Sequence, residues 1–260
     1  MFQEARLLNI LDYLKQHHSM SVAEICSIFQ VSRDTARRDI VKLVQEGVVV
    51  RTHGGVALPT LQKELSSYQD RLIEESGSKD AIGKLGAKLI QDHETVFLDV
   101  STTVQFVAEH IQAKQITAVT HSIDNVSILS KRDDLSIYVL GGYLHTQNRL
   151  LYGPSVIDKI GEIRADKAYI GATAIQQDGL YFPYEDDVRV KKEMAKQSDQ
   201  VILMVDHTKF VAKSRFKLDF DYVDIIVTDQ SISNEMREVL DQKNITLIEC
   251  TIPNSKDGDE

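Results

Sequence analysis

The chain has 260 residues, 42% hydrophobic and 27% charged, with a formal net charge of -9, which describes one or two globular domains able to bury a proper core. No run of about 18 apolar residues occurs, MFQEARLL lacks the cationic start and apolar core of a signal peptide, and Cys26 and Cys250 lie far apart and outside any C-x-x-C pair, so neither membrane insertion, export nor a disulfide or zinc framework is expected, and a cytoplasmic protein is. Of the 30 Lys and Arg and 39 Asp and Glu, residues 1–58 hold seven and six, a net of +1 that leaves -10 for the rest, so contact with nucleic acid belongs to the N-terminal piece.

Along the chain, Leu7, Ile10, Leu11 and Leu14 recur at helical spacing and predict a first helix ending near residue 18. Ser21 is placed to cap a second helix, SVAEICSIF, and Ser32 a third that runs to about Glu46 and buries Ala36, Ile40, Leu43 and Val44. This third helix carries Arg33, Arg37, Arg38 and Lys42. Three short helices with a tight connection between the second and third form the helix-turn-helix pattern, whose last helix enters the major groove. Gly47 ends the helix, Val48–Val50 and Val56–Leu58 have strand character, and Gly54 and Gly55 supply a turn, so a wing follows. The candidate DNA-binding residues are Ser32, Arg33, Thr35, Arg37, Arg38 and Lys42 on the helix and Arg51 and His53 on the wing, Arg and Lys being suited to guanine edges and phosphates alike. Against this stands an ordinary solvated face in which Asp34 and Asp39 neutralise Arg38 and Arg37.

VSRDTARRDIVKLVQEGVVVRTHGGV resembles the signature of the DeoR family of bacterial transcriptional regulators, the match running from about Arg6 to Val56 and including Thr35, Arg37, Arg38, Asp39, Leu43, Gly47, Arg51, His53, Gly54 and Gly55. The resemblance implies a winged helix-turn-helix that binds operator DNA, usually as a repressor.

Residues 1–58 are therefore read as the DNA-binding domain, 59–77 as a partly helical linker, 78–250 as a second domain and 251–260 as a flexible tail. In the second domain the runs TVFLDV, ITAVTHS, SIYVLGG, DKAYIGA, QVILMVD, YVDIIVTD and ITLIEC alternate with helical segments, which predicts an α/β fold with a mainly parallel sheet. The carboxyl ends of parallel strands gather on one edge, where ligands bind. There the sequence places Asp99, Ser101, Thr102 and Thr103; His121 and Ser122; Gly141 and Gly142; Gly171; and Lys209, the candidate effector-binding residues. Ser/Thr hydroxyls and free amides at a helix start suit a phosphate group, and Lys209 could balance its charge.

The resemblance continues over about residues 79–229. DVSTT is similar to a D-x-G-T-T loop, THS to T-N-S, VLGG and YGP to glycine motifs, KKEM to K-R-x-M and DHTKF to D-x-S-K-F. It implies a fold like that of sugar-phosphate isomerases and CoA transferases, used to sense phosphorylated sugars or related metabolites. Ser101 stands where the family has Gly, His121 where it has Asn, and residues 181–187, YFPYEDD, are unlike the usual loop. The expected protein is a homodimer or homotetramer that binds operator DNA and a small-molecule effector, with no catalytic residues, metal, cofactor or membrane partner. Two other readings stay open. One is an isomerase-like enzyme using Asp99, Asp206, Glu185 and Lys209, the other a DNA-binding scaffold that senses nothing.

Overall fold

The computed structural model describes residues 3–17, 19–45, 48–52, 55–57 and 68–250. The chain divides into two compact units, Met1–Ser66 and Ser67–Glu260.

In the first unit, α1 (Gln3–His17), α2 (Val22–Phe29) and α3 (Arg33–Gln45) enclose a core of Leu7, Ile10, Leu14, Ile25, Ala36, Ile40 and Leu43, closed by Met20, Val49 and Val56. Ser21 caps α2 through a reciprocal box with Glu24, and Gln30 ends that helix in the left-handed region at φ 55°. Ser32 Oγ accepts from Thr35 N at 3.2 Å and starts α3. Val44, read as part of the buried stripe, is instead exposed, on the same outer side of α3 as exposed Val41 a turn earlier, while its neighbour Leu43 faces the core.

The wing is β2 (Val50–Thr52) and β3 (Gly55–Ala57), shifted from the predicted strands, and it pairs with an unpredicted strand β1 (Ser19–Ser21) in the order β1-β3-β2. Gly55 is paired with Ser21, and a Cβ on it would stand 2.1 Å from the Met20 carbonyl oxygen. Its lack of a side chain thus serves the approach of β1 as well as a turn. The N-terminal unit therefore carries a small antiparallel sheet beside its three helices.

The second unit opens with α4 (Tyr68–Ile73), in the stretch read from sequence as the end of a linker, and α5 (Ser76–Ala87), which begins at that linker's last two residues; the buried side chains of Tyr68 and Lys79 hold α4 to this unit. All seven apolar runs form one parallel sheet: β4 (Thr95–Leu98), β5 (Thr117–Thr120), β6 (Ser136–Val139), β9 (Ala165–Ile170), β12 (Ser198–Met204), β14 (Ile225–Thr228) and β15 (Thr246–Glu249), in the order β15-β14-β12-β9-β4-β5-β6. Successive side chains leave opposite faces. Val96, Leu98, Ala118, Tyr169, Ile202, Met204 and Val227 pack under α5, α6 (Thr102–His110) and α7 (Ile123–Leu129). Phe97, Val119, Ala168, Ile170, Val201, Leu203 and Ile226 pack under α8 (Pro154–Gly161), α9 (Glu185–Lys196) and α10 (Asn234–Gln242).

Two small antiparallel additions complete the unit: the hairpin β7 (Tyr143–His145)–β8 (Leu150–Tyr152), and the sheet of β10 (Ala174–Gln176), β11 (Gly179–Phe182) and β13 (Phe216–Leu218). From β4 the chain winds outward through β5 and β6, then returns to place β9 on β4's other side and winds the opposite way. Right-handed crossovers put the two sets of helices on opposite faces when the winding reverses, leaving a crevice at the carboxyl ends of the two central strands. Among the described residues no helix is long and apolar enough to cross a membrane.

Candidate functional site

On α3 the side chains of Arg33, Arg37 and Arg38 are exposed and Lys42 is half-buried. Among the described residues none of the four has an ion-pair partner; Arg38 Nε donates only to the Asp34 backbone carbonyl, at 3.4 Å. The surface pairing weighed for Asp39 does not form. Asp39 is fully buried and accepts from Arg6 Nε at 2.5 Å, Arg6 Nη2 at 3.1 Å and Gln3 Nε2 at 2.9 Å. The arginine that neutralises it comes from α1, which locks α3 onto α1 and leaves the cations of α3 to face outward. Ser32 and Thr35 lie at the helix start with their hydroxyls 3.0 Å apart. Arg51 lies on β2; His53 and Gly54 fall outside the described residues.

In the second unit the crevice centres on Asp99, which follows β4 and is fully buried. Its Oδ2 accepts from the Gly171 amide at 3.1 Å, across the switch point at the end of β9, and its Oδ1 from Lys191 Nζ at 3.2 Å. His121 Nε2, from the end of β5, stands 4.0 Å from the same oxygen. Asn125 Nδ2 donates to the Asp99 carbonyl at 3.2 Å and to Thr120 Oγ1 at 3.3 Å. Lys191 also lies 5.0 Å from the centre of the Phe182 ring. One helix and the ends of three strands thus meet on one carboxylate, and a second helix reaches the same residue's backbone carbonyl through Asn125.

Burial pushes the His121 imidazole down to about 4, with Asp99 opposing and Lys191 adding to the shift. It is therefore neutral at physiological pH, and its Nδ1 has no hydrogen-bond partner. Half-buried Asp187, on the first turn of α9, has its pKa raised by desolvation, with Lys191 pulling it back and Asp99 adding to the rise.

The helix starts use their hydroxyls locally. Ser101 Oγ accepts from Thr103 N at 3.2 Å and Ser122 Oγ from Asn125 N at 3.2 Å, which leaves each hydroxyl its proton to donate. Thr102 and Thr103 are buried at the start of α6. Ser101, standing where the family has Gly, is accommodated by Gly171: a Cβ there would meet Ser101 Oγ at 2.3 Å and Ser101 Cβ at 2.5 Å. Gly171→Ala is expected to cost roughly 1–3 kcal/mol through overpacking. The double variant Gly171→Ala/Ser101→Gly should recover most of that loss in denaturant melts, and a double as unstable as the single would refute the packing account.

Lys209 sits at a second cluster. Its Nζ is 3.4 Å from Asp206 Oδ2 and 3.3 Å from Thr208 Oγ1, and Asp206 is fully buried. Asp206 follows β12, two strands from Asp99, a lateral separation of about 10 Å. Gly141 and Gly142 follow the edge strand β6, and Gly142 packs against the Tyr152 carbonyl. Glu185 is exposed and bonded to Arg189 Nη2 at 2.7 Å, so it takes no part in the crevice.

The structure thus brings Asp99, Ser101, His121 and Gly171 together and sets Lys209 and the glycine pair to either side. Sequence reading did not nominate Lys191, Asn125 or Asp187. KKEM was noticed as a motif, but a lysine that will be buried looks like any other in a helix with charged neighbours.

His121 makes stability depend on pH. Its folded pKa, about 4, lies below the ordinary 6.5, so the unfolded chain takes up a proton first and stability falls as pH drops from about 6.5 to about 4. Above that window His121 contributes no slope. The full effect is roughly 3 kcal/mol, and His121→Asn should flatten this part of the acid limb in urea melts; an unchanged limb would remove His121 as its source.

The comparisons with known proteins cover both units. A DeoR-like helix-turn-helix domain model matches residues 6–62 and a DeoR C terminal sensor domain model residues 74–230. The HTH-type transcriptional repressor GlcR of Bacillus subtilis is 41% identical over 258 residues, 99% of this chain and 100% of the relative. The glycerol-3-phosphate regulon repressor of Escherichia coli is 30% identical over 254 residues, 96% of this chain and 100% of the relative. A ribose 5-phosphate isomerase A from Neisseria gonorrhoeae superposes on 52% of this chain with 53% of its own, at a TM-score of 0.37 and 14% identity. With both units matched in order and a relative aligned along the whole length, the chain belongs to the DeoR family of transcriptional regulators.

Proposed function

We propose that this protein is a transcriptional repressor that grips operator DNA through α3 and the wing and is released when a phosphorylated sugar or related metabolite occupies the crevice around Asp99. The observation that carries the reading is the outward row of Arg33, Arg37 and Arg38, free of ion-pair partners among the described residues, on a chain of net charge -9. Cations kept unpaired on an acidic protein suit phosphates and guanine edges. The sensing half rests on the buried polar cluster at the switch point, on the names of relatives called repressors, one of them of a glycerol-3-phosphate regulon, and on the hydroxyls of Ser101, Thr102 and Thr103 at the start of α6. A homodimer or homotetramer would set two copies of α3 on two half-sites. Binding of effector and operator are then coupled through the states each prefers.

The test has two arms. Selection from random duplex should enrich one sequence family, and glycerol 3-phosphate or another sugar phosphate should raise the melting temperature and release the enriched duplex. Thr102→Val or Lys209→Ala should keep operator binding and blunt release. Turnover of a sugar phosphate would favour an enzyme, and no thermal shift with any phosphorylated sugar would favour a scaffold that senses nothing.

A further inference from the structure

The short helix α4 lies at the start of the second unit, and residues 58–67 join it to β3. Its anchors are unusual for a surface turn. Tyr68 is 1% exposed and its hydroxyl donates to Gln105 Oε1 at 2.8 Å, on the helix whose first turn forms one side of the crevice. Burial pushes the Tyr68 phenol well above its ordinary pKa, and the charges of Asp124 and Asp99 add to the rise. The Arg71 guanidinium lies 5.9 Å from the centre of the Tyr68 ring and feels the carboxylate of Asp187 at the start of α9. At the other end, Lys79 Nζ donates to the carbonyls of Arg71 and Glu74, tying the last turn of α4 down. Lys79 is itself buried, pushed to about 8 by desolvation, and in the field of Asp206 and Lys209 at the end of β12.

We propose that α4 is a strap tied by Tyr68 to the helix that forms one side of the effector crevice and held down by Lys79 of α5, and that it passes the state of that crevice to the DNA-binding unit through the segment it terminates. The inference rests on the reading of the crevice as an effector site. A ligand bound at the first turn of α6 acts on the helix that holds Tyr68. A firmly anchored strap fixes where the tether to each DNA-binding head begins, which raises the effective concentration of the second head once the first has bound. Loosening it therefore weakens operator binding even with no ligand present.

The experiment uses the full chain, an operator enriched from random duplex, and fixed salt. Tyr68→Phe removes one hydroxyl, and Lys79→Met removes the charged donor while keeping an unbranched apolar stem. Both are expected to speed hydrogen exchange in residues 68–74 and to lower operator affinity by about fivefold or more. Ile202→Val, a core truncation on β12 away from α4, should lower the melting temperature but leave operator affinity unchanged. Faster exchange in 68–74 with operator affinity within about twofold of the parent would overturn the strap. Should Tyr68→Phe leave exchange unchanged, Tyr68→Ala, which empties the buried site, enters the same comparison. Calorimetry of the parent with glycerol 3-phosphate is read separately: absence of binding counts against the phosphorylated-metabolite reading, while the ligand-free operator affinities still decide the strap.

Discussion

Arg37→Ala or Arg38→Ala is expected to weaken operator binding roughly tenfold to a hundredfold at fixed salt, the range for one good base or phosphate contact, and to leave the melting temperature unchanged. Stability should hold because neither side chain is buried or ion-paired among the described residues. One position along, Asp39→Ala should do the opposite. It removes the acceptor of two buried Arg6 hydrogen bonds, and breaking a buried pair by removing one partner costs about 3–5 kcal/mol. The small core around Leu7, Ile10, Leu14, Ala36, Ile40 and Leu43 has little margin against such a loss. Operator binding then fails through unfolding, visible as lost helical signal and faster exchange in α1 and α3. Electrophoretic titration together with thermal melts separates the two cases. Wild-type operator affinity in both Arg variants would remove α3 from the interface.

These neighbours also show where sequence reading stops. The cationic pattern of α3 was legible because it is local: capping serine, buried stripe and arginines lie within a few turns. The fate of Asp39 was not, because Arg6 is 33 positions away and only the folded packing of α1 on α3 brings them together. The seven parallel strands were legible for a related reason. The inner strands are covered by helices on both faces and so read as apolar runs, while the edge strand β6, with Tyr138 and Val139 exposed, was legible from its apolar composition alone. The added strands carry no such signal: β7 is exposed throughout, and β1 is a Ser-Met-Ser triplet whose pairing exists only because Gly55 lets it approach. In the crevice, residues directly after strands were foreseen, since topology alone gathers them. Lys191 and Asn125 reach the same point from within helices, and their burial follows from the switch of winding at β4 and β9 rather than from any spacing in the chain.

The pairing of Asp99 with Lys191 lends itself to a double-mutant cycle. Lys191→Met keeps an unbranched apolar stem over the Phe182 ring, now as a sulfur–aromatic contact, but leaves a fully buried carboxylate with only the Gly171 amide as donor from this pair of strand ends. Asp99→Asn keeps an acceptor for Gly171 yet can turn its amide hydrogens on the Lys191 ammonium. Each single change is expected to cost about 3–5 kcal/mol in urea melts, because each leaves a buried charge unpaired. The double change removes both charges together. It should therefore be more stable than the sum of the singles implies, with a coupling of about 2 kcal/mol or more. Additive losses would mean that the two groups do not depend on each other. The same variants separate stability from sensing: if Asp99 and Lys191 serve only the fold, the double variant regains normal release of operator by glycerol 3-phosphate as it regains stability. If they meet the ligand, the repaired protein binds operator like the parent and no longer lets go.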